Sequence, residues 1–86
     1  MTDLSELIER VEAGERSNAL DVLIEIALFR PDRFYRSVRA NSAGTKVIYT
    51  SVAGYDSTHW PPDWTLKPER TLASLRALQE KDIEHG

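Results

Sequence analysis

Apolar residues stand at Leu4, Leu7, Ile8 and Val11, the i, i+3, i+4, i+7 spacing that lays one stripe along a helix. Asp3 followed by Glu6 has the form of a capping box, and Gly14 supplies a stop, so the pattern predicts a first helix over 4–13. A second helix is predicted over 18–29, capped by Ser17 or Asn18 and ended by Pro31. Between Ala19 and Phe29 only Asp21 and Glu25 are polar, and they lie on one face. A helix apolar round the rest of its circumference must be covered on two sides. This reads as the central helix of the fold.

The period then changes. DRFYRSVRA (32–40) fits both a helical turn and a strand; the strand reading, over 33–39, suits a chain whose next segments are a loop and a clear strand. NSAGT (41–45) is the loop signal, and KVIYTSVA (46–53) is β-branched and aromatic almost throughout. Gly54 and Asp56-Ser57 turn the chain, Ser57 to Trp60 return antiparallel, and Pro61-Pro62 forbid further pairing. A three-stranded meander within 33–60 results. Pro68 and Glu69 open a last helix over 68–80, with Leu72, Leu75 and Leu78 as its stripe, and the tail 81–86 is expected to fray. The chain thus reads as one α+β domain over 1–86, its helices packed around a small antiparallel sheet in the order α-α-β-β-β-α.

The stretch LIERVEAGERSNALDVLIEIAL, Leu7 to Leu28, carries a resemblance. An acidic leucine/isoleucine helix, a short polar break and a helix opening at Leu20-Asp21 resemble the small phage "ABA sandwich" domain family, and Trp64-Thr65 is similar to the family's aromatic-Thr step into a last helix. The resemblance implies an alpha-beta-alpha layout and a phage or prophage origin. It implies no catalytic residue and no cofactor.

Charge changes the picture more than overall composition does. The net charge is −3, yet residues 1–29 hold seven acids against two basic residues, while 30–46 hold five basic residues against Asp32 alone. An acidic protein repels nucleic acid, but a basic middle segment keeps that class open. There is no cysteine, which removes disulfides and thiolate chemistry and fits a reducing compartment. No apolar run reaches the ~18 residues of a membrane span, and the acidic amphipathic start does not read as a signal peptide. The expectation is a cytoplasmic protein of the host cell without a membrane partner.

Two charged patterns are candidate binding surfaces. Glu6, Glu9 and Glu12 recur every third residue along the first helix. They read either as a solvated face or as an acidic ridge offered to a basic partner. Arg33, Arg36 and Arg39 recur likewise, interleaved with Phe34 and Tyr35, a combination used on phosphate, base-stacking and protein hot-spot surfaces. The plainer reading gives these arginines to solubility and to ion pairs with the first helix.

Sites of chemistry are sparse. Asp56, His59 and Asp63 have a ligand-like spacing, but no fourth ligand accompanies them and no HExxH or EF-hand pattern is present. Ser57, Thr58 and His59 are adjacent, which in a strand sends neighbours to opposite faces, and no GxSxG elbow exists. The expectation is therefore no enzyme, no metal and no cofactor. In YDSTHWPPDW (55–64), Trp60 and Trp64 flank a rigid Pro-Pro step and read as a buried aromatic clamp holding the sheet-to-helix crossing onto the central helix. The function these features favour is binding of a protein partner by a phage-type accessory protein. An anti-defence inhibitor of the anti-CRISPR kind, its acidic ridge imitating a phosphate backbone, is one form of that. Nucleic-acid binding through 30–46 and a structural role in a phage-like particle are the alternatives.

Overall fold

A computed structural model describes residues 3–85. The first helix, α1 (Leu4–Glu12), opens at Asp3, whose carboxylate accepts the Ser5 backbone N–H at 3.1 Å. It ends where Gly14 takes φ of 85°, a left-handed value that only glycine adopts without strain. Arg10 and Glu15 then strap the break with a two-pronged ion pair of 2.9 and 2.6 Å. Ser17 caps α2 (Asn18–Leu28) by accepting the Leu20 N–H at 3.1 Å, and Phe29 leaves in extended backbone just ahead of Pro31.

The segment 32–40, ambiguous in the sequence, is strand from Tyr35 onward. Asp32 accepts the N–H groups of both Phe34 and Tyr35 at 2.8 Å, turning the chain into β1 (Tyr35–Ala40). Asn41 closes the next loop by accepting the Thr45 and Lys46 N–H groups, and β2 (Val47–Ser51) and β3 (Asp56–His59) complete an antiparallel sheet in the order β1-β2-β3. The β1–β2 register slips between Tyr35 and Ser37, placing a bulge at Arg36. A single 3-10 turn, Trp64–Leu66, leads into α3 (Pro68–His85). This last helix passes the predicted stop at 80, and the tail expected to fray is helical backbone through His85. Residues 69–85 contain neither glycine nor proline to end it. Among the described residues no helix is long and apolar enough to cross a membrane.

The fold is α+β, with α2 at its centre. On one side α2 packs against β1 and β2; on the other it meets α1 and α3, which pack against each other. Leu7, Ile8 and Val11 of α1, Leu20 and Ile24 of α2 and Leu75 of α3 form the core between the helices. Along the chain the elements run α-α-β-β-β-α, and of the three helices it is α2 that packs on the sheet. Two polar residues of α2 are also enclosed. Asp21, 8% exposed, accepts the Thr65 N–H at 2.8 Å. Half-buried Glu25 accepts Trp64 Nε1 at 3.1 Å and the Tyr49 hydroxyl. The polar face of α2 thus points into the structure and ties the 3-10 turn and the sheet to it.

Candidate functional site

Strand register decides what the sheet shows to solvent. Val47 pairs with Ala40 and His59, and Tyr49 with Val38 and Ser57, so these side chains share the face covered by α2. Tyr49 is the hub there: the rings of Tyr35, His59 and Phe29 lie 5.5, 5.7 and 6.1 Å from it. Burial, then the Glu25 carboxylate, push the Tyr49 hydroxyl well above the ordinary tyrosine range. The outer face carries Ser37, Arg39, Ile48, Thr50, Asp56 and Thr58.

Arg39 is committed on that outer face. It donates to Asp56 at 2.8 Å and to Thr50 Oγ1 at 3.0 Å, and Thr50 donates in turn to Asp56 at 2.7 Å. The Arg39 guanidinium first, then the Thr50 hydroxyl, hold the Asp56 carboxyl below the ordinary carboxylate range, and the charge of Arg36 adds to the effect. Of the three arginines, Arg39 is therefore already paired, and Arg36 is near enough for its charge to act on the same Asp56. None of them pairs with the first helix: among the described residues Glu12 bonds Arg76, Glu15 bonds Arg10, and Arg39 bonds Asp56.

What the fold does bring together at the β2–β3 turn is the backbone of two segments. The Val52 N–H donates to the Phe34 carbonyl at 3.0 Å, and the Ser51 N–H donates to the Tyr55 carbonyl at 2.8 Å. Tyr35 pairs with Ser51 across the strands. Two segments distant in sequence, 33–36 and 51–55, thereby stand side by side. Their large apolar side chains face water: Tyr55 is 77% exposed, Phe34 63% and Val52 56%, with Tyr35 more covered against Tyr49. The Arg33 guanidinium lies over the Phe34 ring, 5.6 Å from its centre. Asp32, the nearest acid in sequence, is held below the ordinary carboxylate range by the N–H of Tyr35 first and that of Phe34 second. Val52 and Tyr55 do not stand out in the sequence as site residues. The signal available was a pair of large apolar residues flanking Gly54, whose φ of 95° marks a tight turn where polar residues are the norm.

The acidic ridge lies elsewhere. Glu6, Glu9 and Glu12 are exposed on α1, which packs on α3 rather than on the sheet, and Glu12 is engaged by Arg76 at 2.9 Å. The two surfaces expected from the sequence are thus separate.

The tryptophan clamp is half corrected. Trp64 is partly buried against the helical core, donates to Glu25, and accepts the Thr71 hydroxyl on its carbonyl at 2.6 Å. Trp60, expected to be buried, is 67% exposed. Trp60 lies just past the end of β3, outside the paired strand, and its indole stays out of the core. There the Lys46 ammonium sits 4.6 Å from the centre of the indole ring, and it is Pro61 that is buried.

Alternation along β3 separates the ligand-like trio. Asp56 lies on the outer face with Arg39 while His59 lies on the covered face beside Tyr49. Among the described residues no group of three potential ligands comes together. A shallow groove of about 600 Å³ beside the 3-10 turn is lined by Trp64, Leu66, Lys67, Arg70 and Ser74 with Pro62 and Asp63, and no histidine lines it. Comparison with protein-family models, with curated proteins and with solved structures finds no match to this chain.

Proposed function

We propose that this protein is a non-catalytic binding module whose partner is another protein, engaged through the exposed cluster of Phe34, Tyr35, Val52 and Tyr55. The observation that carries this reading is that Phe34, Val52 and Tyr55 are more than half exposed on two segments whose backbones are hydrogen-bonded to each other, in a domain with a small core. Isolated exposed apolar residues are ordinary, but a contiguous patch is a mark of an interaction surface. Aromatic and arginine side chains are also the residues that dominate binding hot spots. The phage-type setting, and within it inhibition of a host defence nuclease, rest on the resemblance of Leu7–Leu28 and on the charge layout.

The test is capture from host lysate on the immobilised protein, compared with Phe34→Ser/Tyr55→Ser, whose sites are exposed enough to leave the fold intact. A stoichiometric, nuclease-resistant protein retained by the wild type and lost by the double variant supports the reading. Equal retention by both would remove the cluster as the interface.

A second reading has its own observation. Trp60 is exposed just past the end of β3 with Lys46 over its ring, an arrangement that suits stacking of a base beside a phosphate-binding cation. Nuclease-sensitive capture, reduced by Trp60→Ala, would favour it.

A further inference from the structure

We infer that a groove along α3, on the side turned from α1, receives an acidic segment of a partner protein, a contact separate from the exposed residues around β1 and the β2–β3 turn. The two sides of α3 differ in what they touch. Arg76 and Gln79 reach Glu12 and Ser5 of α1 at 2.9 and 2.8 Å. Arg70, Ser74, Ala77 and Lys81 follow one another at helical spacing on the opposite side. Two grooves run there, and Ser74 lines both. One, of about 600 Å³, lies beside the 3-10 turn, where Trp64, Leu66, Lys67 and Arg70 wall it. The other, of about 240 Å³, lies between Ala77, Leu78 and Lys81 and the end of α2, with Leu28 and Arg30. The 3-10 turn is pinned at three points: Trp64 donates to Glu25, the Thr65 N–H to Asp21, and the Thr71 hydroxyl to the Trp64 carbonyl. Leu66, 57% exposed, is thereby held in the groove wall before a partner arrives.

Charge and shape name the occupant. Arg30, Lys67, Arg70 and Lys81 line the two grooves against the single carboxylate of Asp63. Among the described residues the ion pairs are Arg10–Glu15, Arg39–Asp56 and Arg76–Glu12, and none of these four cations takes part. In a chain of net charge −3 this surplus is local, and carboxylates are its complement. Between the cations the lining is aliphatic, from Leu28, Leu66 and Leu78, while Ser74 and Ala77 are small enough to let a second chain come close. A small molecule needs most of its surface enclosed, which a shallow groove does not provide, whereas a chain segment gathers contacts along its length. Nucleic acid suits the place less well. Trp64, the aromatic residue in the lining, is partly buried with its N–H bound to Glu25, so it offers no free ring for stacking. Asp63 also interrupts the cations, and a peptide can set a neutral residue opposite it where a polyanion cannot.

Fluorescence anisotropy at low ionic strength tests this with three labelled probes: a short peptide of Glu and Leu, its Gln and Leu counterpart, and a single-stranded oligothymidine. The acidic peptide should bind, lose affinity as salt is raised, and be weakened about tenfold or more by Lys67→Gln/Arg70→Gln. Ser74→Trp, which fills the place shared by the two grooves from an exposed helix position, should abolish that binding. Phe34→Ser/Tyr55→Ser should leave it unchanged. Circular dichroism checks that each variant is folded, and Arg30→Gln/Lys81→Gln gives the same reading from the second groove if one is not. Equal binding of the acidic and amide peptides would overturn the acidic assignment, as would absence of binding to either. Binding lost with Phe34→Ser/Tyr55→Ser but kept with Lys67→Gln/Arg70→Gln would move the segment to the sheet and overturn the groove. Tighter binding of oligothymidine, lost in Lys67→Gln/Arg70→Gln, would overturn the inference in favour of nucleic acid.

Discussion

The indole Nε1 of Trp64 donates to Oε1 of Glu25 at 3.1 Å, and the other oxygen of that carboxylate accepts the hydroxyl of Tyr49. One side chain of the central helix thereby joins the 3-10 turn on one flank to the sheet on the other. Partial burial makes this junction matter, because a charged acceptor out of bulk water is stabilised only by the donors it retains.

Removing that acceptor should expose its worth. Glu25→Ala leaves both donors without a partner and is expected to cost about 2–4 kcal/mol, while Glu25→Gln keeps one acceptor oxygen and should cost less. Urea unfolding of the two variants measures the difference. Equal destabilisation would show that the methylene packing of Glu25, rather than its hydrogen bonds, carries the contribution.

The two tryptophans should behave oppositely. Trp60→Ala removes an exposed ring with a single cation over it, and stability should stay within about 1 kcal/mol of wild type. Trp64→Ala removes packing against the helical core together with the Glu25 bond, moving toward the ~3–5 kcal/mol of a buried aromatic deletion. Thermal melts of both decide this, and acrylamide quenching should reach Trp60 far more readily than Trp64.

Alkaline pH should act through Tyr49. Its folded-state pKa is raised, by burial first and by the Glu25 carboxylate next, so the folded protein keeps the hydroxyl proton that the unfolded chain loses near pH ~10. With fewer protons on the unfolded state, stability is fully present below the unfolded pKa and declines as pH rises above it. Tyr49→Phe should flatten that decline while lowering stability at neutral pH, an outcome readable from denaturant midpoints across the alkaline range.

Asp21 offers a sharper test of the interior polar contacts. Its carboxylate accepts the buried Thr65 N–H at 2.8 Å, and Asp21→Ala leaves that donor in the interior without a partner. A loss of about 1–3 kcal/mol is expected, with Asp21→Asn retaining much of the wild-type stability. Amide exchange at Thr65 should accelerate in the alanine variant well beyond the global change; unchanged protection there would mean that another acceptor replaces Asp21.

On α1, Glu6→Gln/Glu9→Gln should leave the melting temperature essentially unchanged, since both side chains face water on the polar side. Glu12→Gln should cost no more than the ~0–1 kcal/mol of an exposed ion pair, here the one to Arg76. A large loss in either case would show the ridge to be part of the fold.

The sequence by itself determined most of the elements and their order, because those arise from local causes; 32–40, which fitted both a helical turn and a strand, became strand by pairing with β2. The stripe of Leu4, Leu7, Ile8 and Val11, the breaks at Gly14 and Pro31, and the β-branched run ahead of Gly54 each act within a few residues. Such signals survive whatever the rest of the chain does. Tertiary structure alone decided which side chains meet water. Trp60 and Trp64 look alike in the sequence, yet the first lies just past the end of β3 and stays outside, while the second is drawn in against the helical core. Asp21 and Glu25 read as a polar face, yet the 3-10 turn and the sheet close over them because their carboxylates satisfy donors there. Phe34 and Val52 are separated by two strands in sequence, and only the β1–β2 pairing sets their backbones side by side. Burial and adjacency of this kind depend on pairing between distant segments, and a shift of one residue reverses the face on which every side chain of a strand stands.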